Sequence, residues 1–479
     1  MKRTLLRLLG GTDRPDWPED DTLGDRLRTR PGPAIRWAAV LLGLLAVQIG
    51  MLLGWIAGFL PAGPVADALG SIPAAISHET VPNRGYFHPE HGWVGTFMGL
   101  SPAWAWALRT GLVYLYAATV TYWVWVGYLL FRRVYRAADW TPRDDVVDRL
   151  RGHTWGLFGG VVVFAFLVYA LFAPVVSPTD ITQNLYDPFA HEITHFDEEA
   201  GEVRSVFIGD ANIGSQSGAQ EGIGPMQYDP YDRFHPFGTM DRGQDLFTFM
   251  AYGARISLFI GVVAIGLSVV ISGGLAVLSA YYKGLLDLGV VLGSDSVQAM
   301  PQLLVIILLS VVFADTWLAG LYDGGFLLAL IFGLTGWPSL WRAVRGPALQ
   351  VADREWVDAA RSMGQRPTRT MRRHMAPYLT GYLLVYASMS LGGVIIGVAG
   401  LSFLGLGVTS PTPEWGRAVD AGQPYVATAS WHISLVPGVL VVLVVTAFNA
   451  LGDAIRDAID PESDTGASQE GAMATGGGG

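Results

Sequence analysis

Residues 254–281, ARISLFIGVVAIGLSVVISGGLAVLSAY, carry one charge at their start, Arg255, and none from Ile256 onward. A helix needs roughly 20 consecutive apolar residues to cross the hydrocarbon core of a bilayer. This block exceeds that length. Outward from it, further blocks approach or exceed it at about 36–59, 110–131, 155–176, 288–313, 325–341, 377–404 and 433–451. The block 325–341 is the shortest and holds Gly336 and Pro338. A backbone in lipid must satisfy its own hydrogen bonds, so the blocks read as helices. The expected fold is an all-α polytopic membrane protein with about eight transmembrane helices. Composition agrees, with 51% hydrophobic and only 15% charged residues.

The chain has no cysteine, which excludes disulfides, thiolate metal sites and cysteine nucleophiles. The block 36–59 is longer than a signal-peptide core and reads as a retained span. Lysine occurs only at Lys2 and Lys283, and neither lies in a Gly-x-x-x-x-Gly-Lys-Ser/Thr phosphate loop. ATPase chemistry of that kind therefore has to come from another chain.

Arginine placement gives an orientation. The segment 132–152 carries Arg132, Arg133, Arg136, Arg143, Arg149 and Arg151. The segment 341–376 carries Arg342, Arg345, Arg354, Arg361, Arg366, Arg369, Arg372 and Arg373. Between them, 177–246 has only Arg204, Arg233 and Arg242 among many acids, including Asp197, Glu198, Glu199 and Glu202. By the positive-inside rule the two Arg-rich loops share the cytoplasmic side, the acidic segment lies outside, and both termini are cytoplasmic.

The organisation expected is a polar lead over 1–34, then two spans and a charged linker over 35–152. A core helix with an acidic outer segment occupies 153–246, and a larger helical unit follows over 247–452, interrupted by the loop 341–376. A cytoplasmic tail over 453–479 ends in glycines and reads as partly disordered.

The loop 341–376 holds the most specific signal. Asp353 to Gly364 reads as a short helix, with Asp353 as N-cap and Gly364 in the left-handed turn that stops it. Trp356, Ala360 and Met363 share a face at i, i+4, i+7. Ala359 and Ala360 keep the helix thin, which suits docking into a partner's groove. An interfacial helix lying on anionic lipid is the plainer alternative.

The spacing Asp358-Ala359-Ala360, three residues, Gly364, then Pro377 resembles the coupling loop of ABC importer permeases. Asp358 stands for the usual Glu, and His374 and Ala376 for the usual Ile and Leu. Further segments resemble the C-type subunit of the dipeptide/oligopeptide/nickel permeases. These are His235-Pro236-Phe237-Gly238-Thr239 with Asp241, Gly243 and Asp245; Tyr252-Gly253-Ala254-Arg255; and Asp287, Asp295 and Pro301. Leu401-Ser402-Phe403-Leu404-Gly405-Leu406-Gly407 with Pro413 and Trp415-Gly416 follows, then Asn449, Gly452-Asp453, Arg456-Asp457 and Asp460-Pro461. The resemblance covers about 155–461. Departures are Gln244 and Gly293, where the family commonly has Arg, and Val398, where it has an acid.

The resemblance implies a six-helix type I importer core and a permease that is not itself an enzyme. It implies ATPase coupling through Asp358, Ala359, Ala360, Gly364 and Pro377, and alternating access for a peptide cargo, with nickel and other solutes as further cargo classes. The implied partners are a paralogous permease, two cytoplasmic ABC ATPases, an extracellular substrate-binding protein and membrane lipid, with no nucleic acid. No cofactor is expected on this chain; ATP and Mg belong to the partner ATPase.

One rival reading concerns His191-Glu192-Ile193-Thr194-His195, which fits the H-E-x-x-H zinc-protease pattern. That pattern needs a helix. Pro188 just before it, β-branched Ile193 and Thr194 inside it and the acidic run after it argue against one, and no third ligand follows. A chance match in an exposed acidic loop is the reading preferred, and no metal site is expected. A channel or secondary transporter would leave the docking helix unexplained.

Overall fold

A computed structural model describes residues 17–18, 21–57, 63–72, 74–136, 138 and 141–459. Lys2, most of the polar lead, Asp460-Pro461 and the glycine-ended tail lie outside the described residues. The chain is helical, with α1 over Pro31–Val47, α2 over Ile49–Ala57, α3 over Pro102–Leu130 and α4 over Thr154–Leu171. There follow α5 over Leu246–Tyr282, α6 over Gly284–Ala299, α7 over Gln302–Val312 and α8 over Gly325–Ala352. The last are α9 over Glu355–Ser362, α10 over Ala376–Phe403, α11 over Trp415–Gly422 and α12 over His432–Ile459.

Among the described residues, six helices are long and apolar enough to cross a membrane, and a bent pair makes a seventh segment. Two expected spans differ from their reading. The block 288–313 is not one straight helix: α6 and α7 meet at 83° across Met300 and Pro301. Proline has no N–H to continue the helix, and it drives the residue before it to an extended conformation; Met300 has φ −81°, ψ 137°. The block 36–59 breaks at Gln48, whose side chain is buried and donates Nε2–H to the Ile76 carbonyl (3.3 Å). The shortest block, by contrast, runs as one continuous helix through Gly336, Pro338 and Pro347. Inside a bundle, neighbouring helices and hydroxyl groups compensate for the missing donors.

The helices pack through small residues, which let backbones approach closely where hydrophobic burial gives no advantage over lipid. A Cβ at Gly159 of α4 would sit 2.6 Å from the Ala447 carbonyl of α12. Ser268 of α5 donates to the Gly333 carbonyl of α8 at 2.9 Å. Gly393 and Gly397 of α10, four residues apart as in a G-x-x-x-G packing motif, do not form one seam: Gly397 abuts Phe332, whereas Gly393 faces open space.

α5 is about 55 Å long at 1.5 Å per residue, so its two ends mark two faces of the bundle. The segment 177–246 lies at its Leu246 end, and α9 touches Tyr281 at the other. The linker 132–152 also reaches the α9 end, with Arg149 donating to the Ala458 carbonyl (3.2 Å) near the end of α12. The two Arg-rich loops therefore share one face.

At the opposite face the chain forms short hairpins. Tyr86–His88 (β1) pairs with Gly92–Val94 (β2), and Glu192–Asp197 (β3) with Glu202–Phe207 (β4), both antiparallel. Arg109 of α3 ties the N-terminal portion to the core there. Fully buried, it donates to the carbonyls of Val81, Val175 and Ser177 and to Asn83 Oδ1 at 2.7–2.9 Å. Arg109→Met would leave four buried acceptors unpaired, each costing about 1–3 kcal/mol. Thermal unfolding in detergent should show a clear fall in Tm; an unchanged Tm would contradict this role.

Candidate coupling site and the opposite face

α9 is short, and its position is fixed from one side only. Val357 is buried in a cluster with Ala276, Ala280, Trp341, Val344, Met375 and Leu379, and Ala360 is buried beside it on the same side of the helix. Trp356 stacks on Tyr378 with ring centroids 5.4 Å apart. Arg361 lies 4.2 Å over the Tyr281 ring and donates to the Tyr281 carbonyl (2.9 Å). Gly364 has φ +71°, the left-handed turn expected of it, and its N–H closes on the Arg361 carbonyl (2.9 Å). Beyond it Gln365 accepts from the Thr370 hydroxyl (3.0 Å).

Two expectations are corrected. Asp353 does not cap α9: the N-cap is Arg354, without a side-chain bond, and Asp353 ends α8 and pairs with Lys283. The buried face is Val357–Ala360 rather than Trp356–Ala360–Met363, because the bundle lies on the side of the smaller residues. Met363 is 81% exposed and Trp356 40%. Ala360 therefore serves the chain's own packing. Glu355, Asp358, Ala359, Ser362 and Met363 form the free face, and Pro377 is exposed at the start of α10.

Ion pairs brace the helices behind this site. Arg345 of α8 holds Asp287 of α6 through two parallel bonds, the Nε contact at 2.9 Å. Arg342 pairs with Asp295 and donates to Gln298 Oε1 (2.8 Å). Asp287 and Asp295, read from sequence as a motif, thus bind α6 to α8. Further along α8, a recess of about 340 Å³ is lined by Ser268, Gln302, Gly336, Ser339, Ser390 and Gly393. Sequence reasoning did not assign it. The only available signal was small and polar residues recurring inside four apolar helices, which helix packing also produces.

Most of the remaining motif residues cluster at the opposite face, where they make contacts within the chain, whereas Gly452 and Asp453 lie toward the α9 end of α12. Asp245 caps α5, accepting from Thr248 N (2.7 Å). The buried His235 bridges Asp245 (2.8 Å) and Asp229 (3.4 Å). Thr239 donates to the Ser215 carbonyl (2.7 Å), Phe237 packs on Phe247 (4.8 Å), Pro236 is buried, and Gly238 turns at φ +83°. Gly253 admits the Trp415 ring, whose Nε1–H donates to the Met250 carbonyl (2.7 Å). Ser402 is buried beneath Gly407, Gly405 turns at φ +73°, and Phe403 ends α10. Gly452 packs on Met389, Asp453 is exposed, and Arg255 is partly buried on α5.

His191–His195 does not form a metal helix. Glu192–Asp197 is a strand, where residues four apart stand roughly 13 Å apart along the chain. His195 instead packs edge-on against Tyr231 (5.2 Å). Among the described residues no group of three or more His, Cys, Asp or Glu is placed to hold a metal ion. The protease reading has no site.

Comparison with known proteins matches residues 256–464 to the family described as binding-protein-dependent transport system inner membrane component. Residues 141–191 match the N-terminal TM domain of oligopeptide transport permease C. The oligopeptide transport system permease protein OppC of Bacillus subtilis is 29% identical over 318 residues, 66% of this chain and 89% of that protein. The dipeptide transport system permease protein DppC of the same organism is 36% identical over 231 residues, 48% of this chain and 69% of its own. The glutathione transport system permease protein GsiD of Shigella dysenteriae is 35% identical over 228 residues, 48% and 72%.

The buried His235 cluster sets a pH dependence. Burial alone would lower the His235 pKa, but its bonds to Asp229 and Asp245 outweigh that and raise it above the ordinary 6.5. Burial likewise pushes Asp229 up, yet His235 and Arg233 outweigh it and hold the carboxyl far below its usual range. The histidine's contribution is complete below about pH 6.5 and is lost as pH rises through its raised value; that of Asp229 is lost as pH falls in acid. The wild-type Tm in detergent should fall as pH rises through that value, and His235→Gln should flatten the fall. Parallel curves would contradict the assignment.

Proposed function

We propose a function that proceeds from one fact: this chain belongs to the binding-protein-dependent transport permeases, the membrane-spanning subunits of ABC importers. It is a multi-pass membrane protein and a transport subunit. On our reading the α9 face is cytoplasmic, as the clustered arginines favour. Both termini lie on that side, and the hairpin face is outside. The exposed side of α9, with Asp358, Ala359 and the turn at Gly364, docks a separate ABC ATPase that holds ATP and Mg. Two such ATPases, a paralogous permease and an extracellular binding protein complete the importer.

The observation that supports this best is the asymmetry of α9. Its inner side is locked to α5, α8 and α10, while Asp358, Ala359 and Met363 stand free. A displacement of α9 passes into α8 through the direct chain connection at Asp353–Arg354 and the shared cluster, and from α8 into α6 through the Arg345–Asp287 and Arg342–Asp295 pairs. The recess between α5, α7, α8 and α10 is this chain's half of the cargo path, and ATP-driven rocking exposes it to each side in turn. Di- and oligopeptides are the proposed cargo, since the relatives are named for dipeptides, oligopeptides and glutathione.

Ala359 is the position to alter, because Ala360 packs inside the chain's own bundle. Ala359→Trp should leave the permease folded in the membrane and reduce ATPase co-purification at least tenfold. Retention of the ATPase at the wild-type ratio would overturn the docking role. Ser390→Phe, at the recess, should abolish peptide uptake while the ATPase stays bound; undiminished uptake would remove the recess from the path.

A further inference from the structure

On the hairpin face, the segment 83–95 between α2 and α3 meets the segment 178–234 around a second cavity, also of about 340 Å³. That volume lies in the lower range of small-molecule sites, roughly 300–1,000 Å³. Residues 83–95 precede both stretches matched to known families.

The cavity lining holds two sets of charged and polar groups. One carries Arg84, which keeps solvent contact and donates one Nη–H to Gln183 Oε1 (2.7 Å), and Asn184. Asn184 is 2% exposed; its Oδ1 accepts from Asp245 N (3.0 Å), but its Nδ2 finds no acceptor among the described residues. An unpaired buried donor is costly and marks a place where a ligand acceptor would be stabilised. The other holds Asp232, which accepts from Phe87 N (2.9 Å), and the exposed Glu192. Arg84 has Asp180 and Tyr252 as electrostatic neighbours, whereas Asp232 has Asp229, Glu198 and His195. Arg233, though it lines the cavity, is already engaged by Asp229 and Asn212.

We infer that this cavity is a receiving site for a zwitterionic short peptide, with Arg84 and Asn184 taking the C-terminal carboxylate and Asp232 and Glu192 the N-terminal ammonium. The inference rests on the peptide-importer reading and adds to it a site built jointly by the N-terminal segment and the core. Planar guanidinium and amide donors suit a carboxylate, and two opposed charges fix a peptide's direction.

The test is calorimetric titration of the intact chain in lipid nanodiscs with dialanine, dialanine amide and N-acetyl-dialanine. Dialanine should bind, and blocking either end should weaken it at least tenfold. Arg84→Gln should abolish discrimination against the amide, and Asp232→Asn discrimination against the acetylated form. Thr194→Trp, filling the cavity from an exposed strand position, should abolish binding. Absence of dialanine binding, equal binding of the three ligands, or binding unaffected by these substitutions would each overturn the inference. The ligand series needs no variant, so a misfolded variant does not remove the test. ATPase co-purification on the same preparation separates the two ideas. ATPase retained without dialanine binding overturns the cavity alone, and dialanine bound without ATPase overturns the importer reading alone.

Discussion

Hydrocarbon offers no water to a peptide group, so every backbone N–H and C=O within the membrane must find its partner in the protein. Long uninterrupted helices follow, and irregular chain is displaced to the two ends of the bundle. The break at Met300–Pro301 obeys the same constraint. Non-helical backbone at membrane depth is tolerated where protein or a cavity surrounds it, and Gln302, just past the break, lines the recess. The bend between α6 and α7 thus leaves a polar side chain at the recess.

The two ends are built differently. At the α9 face a short helix is fixed on one side and free on the other, and ion pairs run from it into the spans. At the hairpin face, buried polar groups form a continuous scaffold. Arg109 gathers carbonyls from the N-terminal portion and the core, and Asp229, Arg233, His235 and Asp245 fasten the segment 177–246 to the head of α5. A rigid head and a braced lever joined by small-residue seams suit a molecule that moves as packed bodies.

The helical class, the pairing of the two Arg-rich loops on one face and the Gly364 turn were legible in the sequence, because each depends on local composition or on one residue's backbone preference. The docking helix was legible as a helix but not in its facing. Helical periodicity grouped Trp356 with Ala360, whereas the position of the bundle decided for Val357 with Ala360. Asp353 sat where an N-cap belongs, and only the nearness of Lys283 assigned it to the preceding helix. Pro301 marked the break, but no local rule distinguished it from Pro338, which lies inside a continuous helix. The hairpin at 192–207 escaped notice because neither strand shows apolar alternation and the second is largely exposed. The recess and the Arg84 cavity depend on residues brought together from distant segments, which spacing alone does not reveal.

The absence of cysteine makes one measurement unusually clean. Ala359→Cys would carry the chain's single thiol, and a short thiol-directed photocrosslinker placed there would report what covers the free side of α9. In membranes containing the complete transporter, the expected product is a covalent adduct with the ATP-hydrolysing subunit. Adducts with lipid alone, in membranes where that subunit is present, would contradict the docking role of α9.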